Sequence, residues 1–367
     1  MPAKPIKTNS KKIFLIAGST GGHAMPIFSI SEELKFHGYK QKIFVSGSDI
    51  EREIFKSKDT VKILSGKLDR NNWYKNIIGL TLVALGFIES FFYLLCNRPN
   101  LIIAKGGFLA VPVLYVARLL NIPYFSHESD SEIGLSNKII LKKAKKFFVG
   151  FPRELYKNVV LSNVVYAGQI IEKKYLTAKI NNRHGKPTIF ITGGSQGSRK
   201  INDIIEKMLP TLLKKYLIIH QIGKNDPDII VNNLKEKVSE DLLKNYHSFT
   251  FSTEENFKAF LNSDLIISRA GANTIGEIAA LARASILIPY PYAASDHQTK
   301  NARYLEKVGG AIVIKEENLN EKSLLERIDY LMNNKKNLEV IGRNAKKAVK
   351  FDGLLEIVKE IKKYLEE

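Results

Sequence analysis

The feature that most constrains this chain is a local pattern that occurs twice, near the start and again in the middle. A short apolar run, a glycine-rich turn and a helix-length amphipathic stretch follow one another from Lys12 (KIFLIAGSTGGHAMPIFSISEEL) and from Thr188 (TIFITGGSQGSRKINDIIEKML). A strand that ends in a glycine turn and leads into a helix is the opening unit of a doubly wound α/β domain. The repeat therefore predicts two such domains in succession.

Further β-branched and aromatic runs, each followed by a helix-length stretch, continue both halves. We predict strands at 13–17, 42–45, 61–64, 101–104, 123–126 and 146–149, and then at 188–192, 217–222, 248–251, 265–268, 285–289 and 311–314. Such alternation is typical of parallel sheets that are covered by helices on both faces. We therefore expect an α/β protein with two Rossmann-like domains.

Composition excludes several classes of protein. The chain has 367 residues, more than one hydrophobic core usually serves, and its 44% hydrophobic and 25% charged residues exclude a disordered or collagen-like chain. The single cysteine, Cys96, forms neither an internal disulfide nor a cysteine-based zinc site, and no histidine spacing indicates another metal. Residues 1–12 are polar and basic, unlike the start of a cleavable signal peptide. These observations predict a cytoplasmic protein without a bound metal.

The net charge of +19 is unevenly distributed, since residues 1–165 carry +12 and residues 166–367 carry +7. Lysine supplies most of the basic residues, so either a compositional bias or an anionic partner explains the charge. The arginine-rich and aromatic stacking motifs of nucleic-acid-binding proteins are missing from the sequence. Nucleic acid and an anionic membrane surface both fit the charge distribution, and the missing motifs argue against nucleic acid.

One segment, Ile77–Leu95 (IIGLTLVALGFIESFFYLL), departs from the alternating pattern because its nineteen residues hold a single charge, Glu89. Its length is close to that of a membrane span, but Glu89 and the glycines at 79 and 86 argue against spanning. Two interpretations stay open: a buried crossover helix, and a helix with one face packed and the other in the lipid interface. The segment is flanked by Lys67, Arg70, Lys75 and Arg98.

Three glycine-rich turns that follow predicted strands carry the most specific site predictions. They are GSTGGH at Gly18–His23, KGG at Lys105–Gly107 and GGSQG at Gly193–Gly197. Unpaired backbone N–H groups at a helix N-terminus attract phosphate, although such a turn also serves simply to pack a helix on a strand. Three of them predict more than one phosphate-bearing ligand.

Two side chains near such turns suit the chemistry of a sugar nucleotide. His23 begins the first helix, where an imidazole acts as general base on a hydroxyl or, alternatively, only holds the loop. Glu277 lies one turn into a helix, where a carboxylate accepts hydrogen bonds from a ribose diol or, alternatively, caps the helix or faces solvent. Polar side chains over Asp296–Asn301 suit sugar hydroxyls.

Six segments, in this order and spacing, resemble the MurG family of peptidoglycan glycosyltransferases: AGSTGGHAMP, AKGGFLAVP, HESDSEIGLSN, TGGSQGSRKIN, SRAGANTIGE and PYPYAASDHQTKNARYLEKVGG. The resemblance covers about residues 13–345. It implies a GT-B fold, in which two Rossmann-like domains face a cleft. The implied parts are a flexible basic tail (1–12), an N-terminal acceptor-binding and membrane-associating domain (13–165), a UDP-sugar-binding domain (166–345) and a C-terminal helix that crosses back to the first domain (346–367).

The resemblance also implies an activity. It is the inverting, metal-independent transfer of N-acetylglucosamine from UDP-N-acetylglucosamine to the muramoyl 4-hydroxyl of undecaprenyl-pyrophosphoryl-MurNAc-pentapeptide, which converts lipid I to lipid II. No cofactor is expected, because UDP-N-acetylglucosamine is a substrate. The implied location is peripheral, on the cytoplasmic face of the bacterial inner membrane. The implied partners are both substrates, an anionic membrane surface, and other cell-wall and division proteins, but no nucleic acid.

Family roles can be assigned to single residues of this chain. His23 corresponds to the catalytic base, and Gly21, Gly22, Gly106 and Gly107 resemble the two loops that hold the acceptor pyrophosphate. The donor-binding positions are Thr20, Gly21, Gly22, Asp130, Glu172, Ser195 (diphosphate), Thr253 (uracil), Glu277 (ribose) and Gln298 (a sugar hydroxyl).

Two of these donor positions depart from the family pattern. Asp130 stands where the family has an amide, and Glu172 stands where it has an arginine. A carboxylate cannot replace an arginine beside a diphosphate, so either Lys173 or Lys174 substitutes for it or the donor binds more weakly. Two rival functions stay open: another GT-B transferase that glycosylates a lipid such as diacylglycerol, and an inactive membrane scaffold.

Overall fold

The structure, a computed structural model, describes residues 10–18, 20–66, 73–156, 162–179, 185–223 and 227–366. It divides into two compact units, Met1–Ile170 with Lys350–Glu367, and Ile171–Val349. The described part of each unit is built on a parallel sheet, which confirms the prediction of two doubly wound α/β domains.

The first unit contains a seven-stranded sheet in the order β3-β2-β1-β4-β5-β6-β7 among its described residues. Its strands are β1 (Lys12–Ile16), β2 (Lys40–Val45), β3 (Thr60–Lys62), β4 (Leu101–Ala104), β5 (Tyr124–Glu128), β6 (Lys146–Val149) and β7 (Val164–Tyr166). Its helices are α1 (Gly21–Phe36), α2 (Asp49–Ile54), α3 (Trp73–Cys96), α4 (Ala110–Leu119), α5 (Leu135–Ile140) and the C-terminal α15 (Gly353–Glu366).

The last helix belongs to the core of the first unit. Ile357 and Ile361 of α15 are fully buried against a cluster that includes Phe125 and Phe148. The Tyr364 ring lies 5.5 Å from the ring of Phe125. Burying such side chains contributes roughly 1.5 to 3 kcal/mol each, so this helix is an integral part of the unit.

The second unit contains a six-stranded sheet in the order β10-β9-β8-β11-β12-β13, counted over its described residues. Its strands are β8 (Thr188–Thr192), β9 (Leu217–Gly223), β10 (Tyr246–Thr250), β11 (Leu265–Ser268), β12 (Ala284–Leu287) and β13 (Ile312–Val313). Its helices are α6 (Lys173–Thr177), α7 (Arg199–Lys215), α8 (Pro227–Lys235), α9 (Glu240–Leu243), α10 (Thr253–Asn262), α11 (Ala272–Ala280), α12 (His297–Lys307), α13 (Glu321–Met332) and α14 (Lys335–Ala348).

All twelve predicted strands are present, and β7 is an additional strand that the sequence pattern did not indicate. The strand order reverses direction beside β1 in the first unit and beside β8 in the second. At such a switch point the loops after two neighbouring strands diverge and leave a crevice for a ligand. The three predicted glycine turns follow β1, β4 and β8, so they lie at these two points.

Helix α3 packs by one stripe and exposes the opposite face. The residues of the stripe are buried, and they are Gly79, Gly86, Ser90 and Leu94. The segment that contains Leu64 lies so close to this stripe that a Cβ atom on Gly86 would lie 1.8 Å from the Leu64 carbonyl oxygen. The Glu89 carboxylate holds the same segment, because its Oε2 accepts a hydrogen bond from the Leu64 N–H at 2.8 Å. Both glycines and Glu89 therefore serve packing.

The other face of α3 is apolar and open. Its large side chains are 43 to 61% exposed, and they are Ile77, Ile78, Leu80, Leu85, Ile88, Phe92 and Leu95. By length and composition alone, the part from Asn76 to Cys96 is the one stretch of the described chain that could cross a membrane. The interpretation as a buried crossover helix is therefore wrong, and a helix with one packed and one open face is what the structure has.

Candidate active site

The imidazole of His23 lies in the first turn of α1, directly after the glycine turn that ends β1. Thr20 is the N-cap residue, and its carbonyl accepts hydrogen bonds from the N–H groups of His23 (3.0 Å) and Ala24 (2.9 Å). The Thr20 Oγ1 atom lies 2.9 Å from His23 Nδ1. When Nδ1 is the donor in this pair, Nε2 keeps its lone pair, which is the form that a general base requires.

The two glycine turns of the first unit meet beside this imidazole. A Cβ atom on Gly18 would lie 2.6 Å from the Cβ of His23, so only glycine allows His23 to lie against the turn. A Cβ atom on Gly107 would lie 4.0 Å from His23 Nε2. Gly106 and Gly107 have φ angles of 75° and 83°, which favour glycine. The structure thus brings the predicted base and the predicted acceptor loops together.

A buried lysine that the sequence analysis did not assign lies next to these turns. Lys105 is only 5% exposed, and its Nζ donates a hydrogen bond to the Gly22 carbonyl at 2.8 Å. Burial lowers the pKa of this ammonium, while the charges of Glu128 and Asp130 act in the opposite direction. Lys105 therefore connects the end of β4 to the first turn of α1.

The HESD segment, which begins with the last two residues of β5, is held in place by Glu128. This buried carboxylate accepts hydrogen bonds from the N–H groups of Asp130 (3.1 Å) and Gly134 (2.9 Å) and from Asn137 Nδ2 (2.9 Å). Burial raises the pKa of Glu128, the Asp130 charge adds to the rise, and the hydrogen bonds and Lys105 oppose it. The Asp130 carbonyl accepts a hydrogen bond from the Tyr156 hydroxyl at 2.8 Å. Both the N–H and the carbonyl of Asp130, a residue predicted to bind the sugar donor, are therefore hydrogen-bonded.

The glycine turn of the second unit leads into α7. Ser198 is the N-cap, and the preceding turn is closed by a hydrogen bond from the Gly197 N–H to the Gly194 carbonyl at 2.8 Å. Ser195, the predicted diphosphate residue, is half-buried within this turn. A Cβ atom on Gly197 would lie 2.7 Å from the Ile222 carbonyl oxygen, so the turn requires glycine for its close approach to β9.

Arg269, a second residue that the sequence analysis did not assign, joins this turn to two other loops. Its Nη2 donates to the Ser198 hydroxyl at 2.7 Å, and its Nη1 donates to the carbonyl of Ile288 at 3.2 Å. It also forms an ion pair with Glu316, and its guanidinium carbon lies 5.3 Å from the Tyr290 ring centroid. Arg269 thus holds the α7 N-terminus in place.

Glu277 lies on α11 in a cluster that contains Glu172 and Lys174. Burial raises the pKa of Glu277 to about 8, the charge of Glu172 adds to the rise, and Lys174 opposes it. Lys174 Nζ lies 3.0 Å from a Glu172 oxygen and 5.3 Å from the Phe257 ring centroid. Lys173, in contrast, is exposed. Of the two lysines considered as substitutes for an arginine, Lys174 is therefore the one beside Glu277.

The two remaining predicted donor residues begin helices or hold loops. Thr253 is the first residue of α10, whose Phe257 ring lies 4.9 Å from the ring of Tyr175 on α6. Gln298 Oε1 accepts hydrogen bonds from the N–H groups of Ala270 (3.3 Å) and Tyr290 (3.0 Å). Because its carbonyl oxygen is used in this way, Gln298 has its Nε2 group to offer to a sugar hydroxyl.

Comparisons with known proteins agree with this arrangement. The chain matches the glycosyltransferase family 28 N-terminal domain over residues 13–149 and the glycosyltransferase family 28 C-terminal domain over residues 188–360. It is similar to crystalline Acinetobacter baumannii MurG, with a TM-score of 0.74, 23% identity, and coverage of 96% of this chain and 99% of that one. The predicted GT-B class of fold is confirmed.

Two curated relatives are named UDP-N-acetylglucosamine--N-acetylmuramyl-(pentapeptide) pyrophosphoryl-undecaprenol N-acetylglucosamine transferase. The protein from Clostridium botulinum (strain Langeland) is 36% identical over 364 residues, which cover 96% of this chain and 99% of the relative. The protein from Clostridium tetani is 34% identical over 365 residues, which cover 96% and 98%. This degree of identity over nearly the whole length establishes that the chain belongs to the MurG family of N-acetylglucosamine transferases.

Proposed function

We propose that this chain transfers N-acetylglucosamine from UDP-N-acetylglucosamine to the muramoyl 4-hydroxyl of undecaprenyl-pyrophosphoryl-MurNAc-pentapeptide. Its Clostridium relatives are named for this donor and this acceptor. The single observation that carries the proposal is the position of His23, whose imidazole is held by Thr20 at a helix N-terminus, beside the Gly107 turn. Neither a diacylglycerol transferase nor an inactive scaffold is favoured by these observations.

The chemical step is a displacement with inversion at the anomeric carbon. His23 Nε2 takes the proton of the muramoyl 4-hydroxyl while the oxygen of that hydroxyl forms the new bond to the anomeric carbon of N-acetylglucosamine. The bond between the anomeric carbon and the UDP oxygen breaks, and its electron pair leaves with UDP. Gly21, Gly22, Gly106 and Gly107 are proposed to hold the acceptor pyrophosphate, so that the hydroxyl is fixed relative to the imidazole.

The second unit supplies most of the proposed donor contacts. The N-terminal end of a helix carries partial positive charge. The N-terminus of α7 and Ser195 are therefore proposed to stabilise the diphosphate of departing UDP. Glu277 accepts from the ribose hydroxyls, Thr253 contacts uracil, and Gln298 donates to a sugar hydroxyl. In the first unit, Thr20, Gly21, Gly22 and Asp130 are the proposed donor contacts. The reaction is proposed to need neither metal nor cofactor.

Lys174 is proposed to take the place of the family arginine. Its ammonium already balances Glu172 at 3.0 Å and lies close enough to Glu277 to oppose the rise in the pKa of that carboxyl. When UDP binds, the diphosphate competes with Glu172 for this ammonium. Glu172 is therefore proposed to orient Lys174 and not to contact the phosphates itself.

Peripheral binding to the cytoplasmic leaflet is proposed to use the open face of α3. The neighbouring α4, which packs on α3, adds Tyr115 (43% exposed) and Leu119 (62% exposed) to the apolar surface. Arg98 and Arg118 are exposed near it, whereas Lys67 and Arg70 lie outside the described residues and only the backbone of Lys75 is described. An apolar face with basic neighbours suits an anionic bilayer. Other cell-wall and division proteins stay predicted partners.

The transfer itself is tested with radiolabelled UDP-N-acetylglucosamine and vesicles that contain the lipid-linked muramoyl-pentapeptide. We expect the label to appear in the lipid fraction, and no label in a matched sample whose vesicles contain diacylglycerol as the acceptor. Labelled diacylglycerol, or an unlabelled muramoyl lipid in a sample that binds UDP, would contradict the proposed acceptor.

A further inference from the structure

The glycine turn that is proposed to hold the diphosphate, Gly193–Gly197, is shaped by a side chain of the strand before it. Thr192 ends β8, and its Oγ1 accepts a hydrogen bond from the Gly194 N–H at 3.0 Å. Gly194 has a φ of 82°, and a Cβ atom placed on it would meet no described atom within 4 Å. Side-chain packing by the described residues therefore does not hold Gly194, whereas the hydrogen bond to Thr192 does.

A buried side chain of the neighbouring strand orients the Thr192 hydroxyl. Strands β8 and β9 pair in parallel with Thr192 beside Gln221, and Thr192 Oγ1 donates a hydrogen bond to Gln221 Oε1 at 2.6 Å. Thr192 is 4% exposed, and Gln221 is fully buried. Because a hydroxyl has a single proton, donating it to Gln221 leaves the oxygen lone pairs for the Gly194 N–H. Gln221 thus keeps the hydroxyl in the orientation in which it accepts from the turn.

The fold alone does not account for Gln221. Its Nε2 forms no hydrogen bond with any described residue, although the side chain is fully buried. A buried amide nitrogen without a partner lowers stability, so an apolar side chain of similar size would serve the sheet better at this position. What Gln221 supplies is the acceptor oxygen that it presents to Thr192.

The hydrogen bonds of the turn also decide which of its N–H groups are available to a ligand. The Gly194 N–H donates to Thr192, and the Gly197 N–H donates to the Gly194 carbonyl at 2.8 Å. Within the described part of the chain, the N–H groups of Ser195 and Gln196 donate to no protein acceptor. Two successive unpaired N–H groups just before a helix suit a phosphate, and Ser195 is the residue predicted to contact the diphosphate.

We propose that Thr192 and Gln221 are positioning residues that hold the glycine turn in the shape that binds the diphosphate of the sugar nucleotide. Neither side chain contacts the ligand: Gln221 acts on Thr192, and Thr192 acts on Gly194. A glycine turn that already has its bound shape loses less conformational entropy when the ligand binds. This inference rests on the proposed function, because it names further residues of the same donor site.

Ligand binding to the full-length protein tests the inference without any transfer. Thr192→Val removes the hydroxyl and keeps the shape of the side chain, so the Kd for UDP, measured by calorimetry, should rise by about fivefold to tenfold, as expected for one lost hydrogen bond. Uridine has no phosphate, so its Kd, measured by ligand-observed NMR, should change by less than about twofold. Gln221→Met leaves the hydroxyl without its acceptor and should raise the Kd for UDP by about threefold or more.

Two further variants separate positioning from packing. Thr192→Ser keeps the hydroxyl and should bind UDP within about twofold of wild type. Thr188→Val is the matched control, because Thr188 begins the same strand, is 2% exposed and donates from its Oγ1 to the Lys186 carbonyl at 3.4 Å. It should bind UDP and uridine as wild type does. If Thr192→Val does not fold, as judged by thermal melting, Gln221→Met decides with the same two ligands.

Four results would overturn the inference. They are a wild-type UDP affinity in folded Thr192→Val, a wild-type UDP affinity in Gln221→Met, equal losses of UDP and uridine affinity in Thr192→Val, and a Thr192→Ser variant that binds UDP as weakly as Thr192→Val. Equal losses would show that Thr192 serves the fold of the whole unit and not the diphosphate turn. A wild-type protein that binds UDP but transfers nothing would instead remove the proposed function and leave this inference in place, and one that binds no UDP would overturn both.

Discussion

Binding of UDP should be linked to the loss of a proton from Glu277. Burial raises the pKa of this carboxyl to about 8, so the free protein carries it mostly protonated at neutral pH. A ribose diol donates its hydrogen bonds to the ionised form. With a pKa of about 8, roughly a tenth of the molecules are ionised at pH 7 and roughly nine tenths at pH 9. We therefore expect the affinity for UDP to rise about tenfold between these two pH values.

Titration calorimetry at pH 7, 8 and 9 measures this rise, and buffers of different ionisation enthalpy give the number of protons released. The phosphates of UDP add no step of their own, since the last phosphate pKa lies at about 6. Glu277→Gln is the matched control: it should bind UDP more weakly than wild type at pH 9, with an affinity that stays level across the range. A level affinity in wild type, or an equal rise in Glu277→Gln, would show that Glu277 is not the group that loses the proton.

Two other predictions concern the base and the membrane face. Thr20→Val removes the hydroxyl that holds His23 Nδ1 and also changes a proposed donor contact. It should raise the KM for UDP-N-acetylglucosamine and, at saturating donor, lower kcat by about tenfold, as measured by steady-state kinetics. An unchanged kcat at saturating donor would show that the hydroxyl does not orient the base. Ile78→Glu with Phe92→Glu, at two side chains that are each 61% exposed, should release the folded protein from anionic vesicles in a sedimentation assay. Ile229→Glu, at a side chain of α8 that is 56% exposed, should sediment as wild type does, and sedimentation of the α3 variant would place the contact elsewhere.

Much of the fold follows from local sequence. The twelve predicted strands are apolar runs between turn residues. The three-residue edge strand β7 was not predicted, and its length does not explain why, because the edge strands β3 and β13 are no longer and were predicted. The open face of α3 could not be read from periodicity, because its segment is apolar all round. Only Gly79 and Gly86 marked its packed side, and a glycine pair in an apolar helix is equally compatible with other helices as neighbours.

The residues of the candidate site also fall into two groups, those that the sequence predicts and those that it does not. His23 and Glu277 were predictable because their chemistry is tied to a glycine turn and a helix start within a few residues. Lys105 and Arg269 were missed because their roles depend on burial by distant segments, such as the Gly22 carbonyl for Lys105. Each directly follows an apolar strand, and a charged residue in that position was the one available signal.

In the proposed mechanism, His23 takes the proton of the acceptor hydroxyl during the transfer of N-acetylglucosamine. The most direct test compares wild type and His23→Ala at saturating donor and lipid-linked muramoyl-pentapeptide, with the UDP affinity of both measured by calorimetry. We predict that wild type forms the disaccharide lipid, and that His23→Ala lowers kcat by about 100-fold or more while its UDP affinity stays within about threefold. A variant whose kcat stays within about threefold of wild type would show that His23 is not the base and only holds its loop.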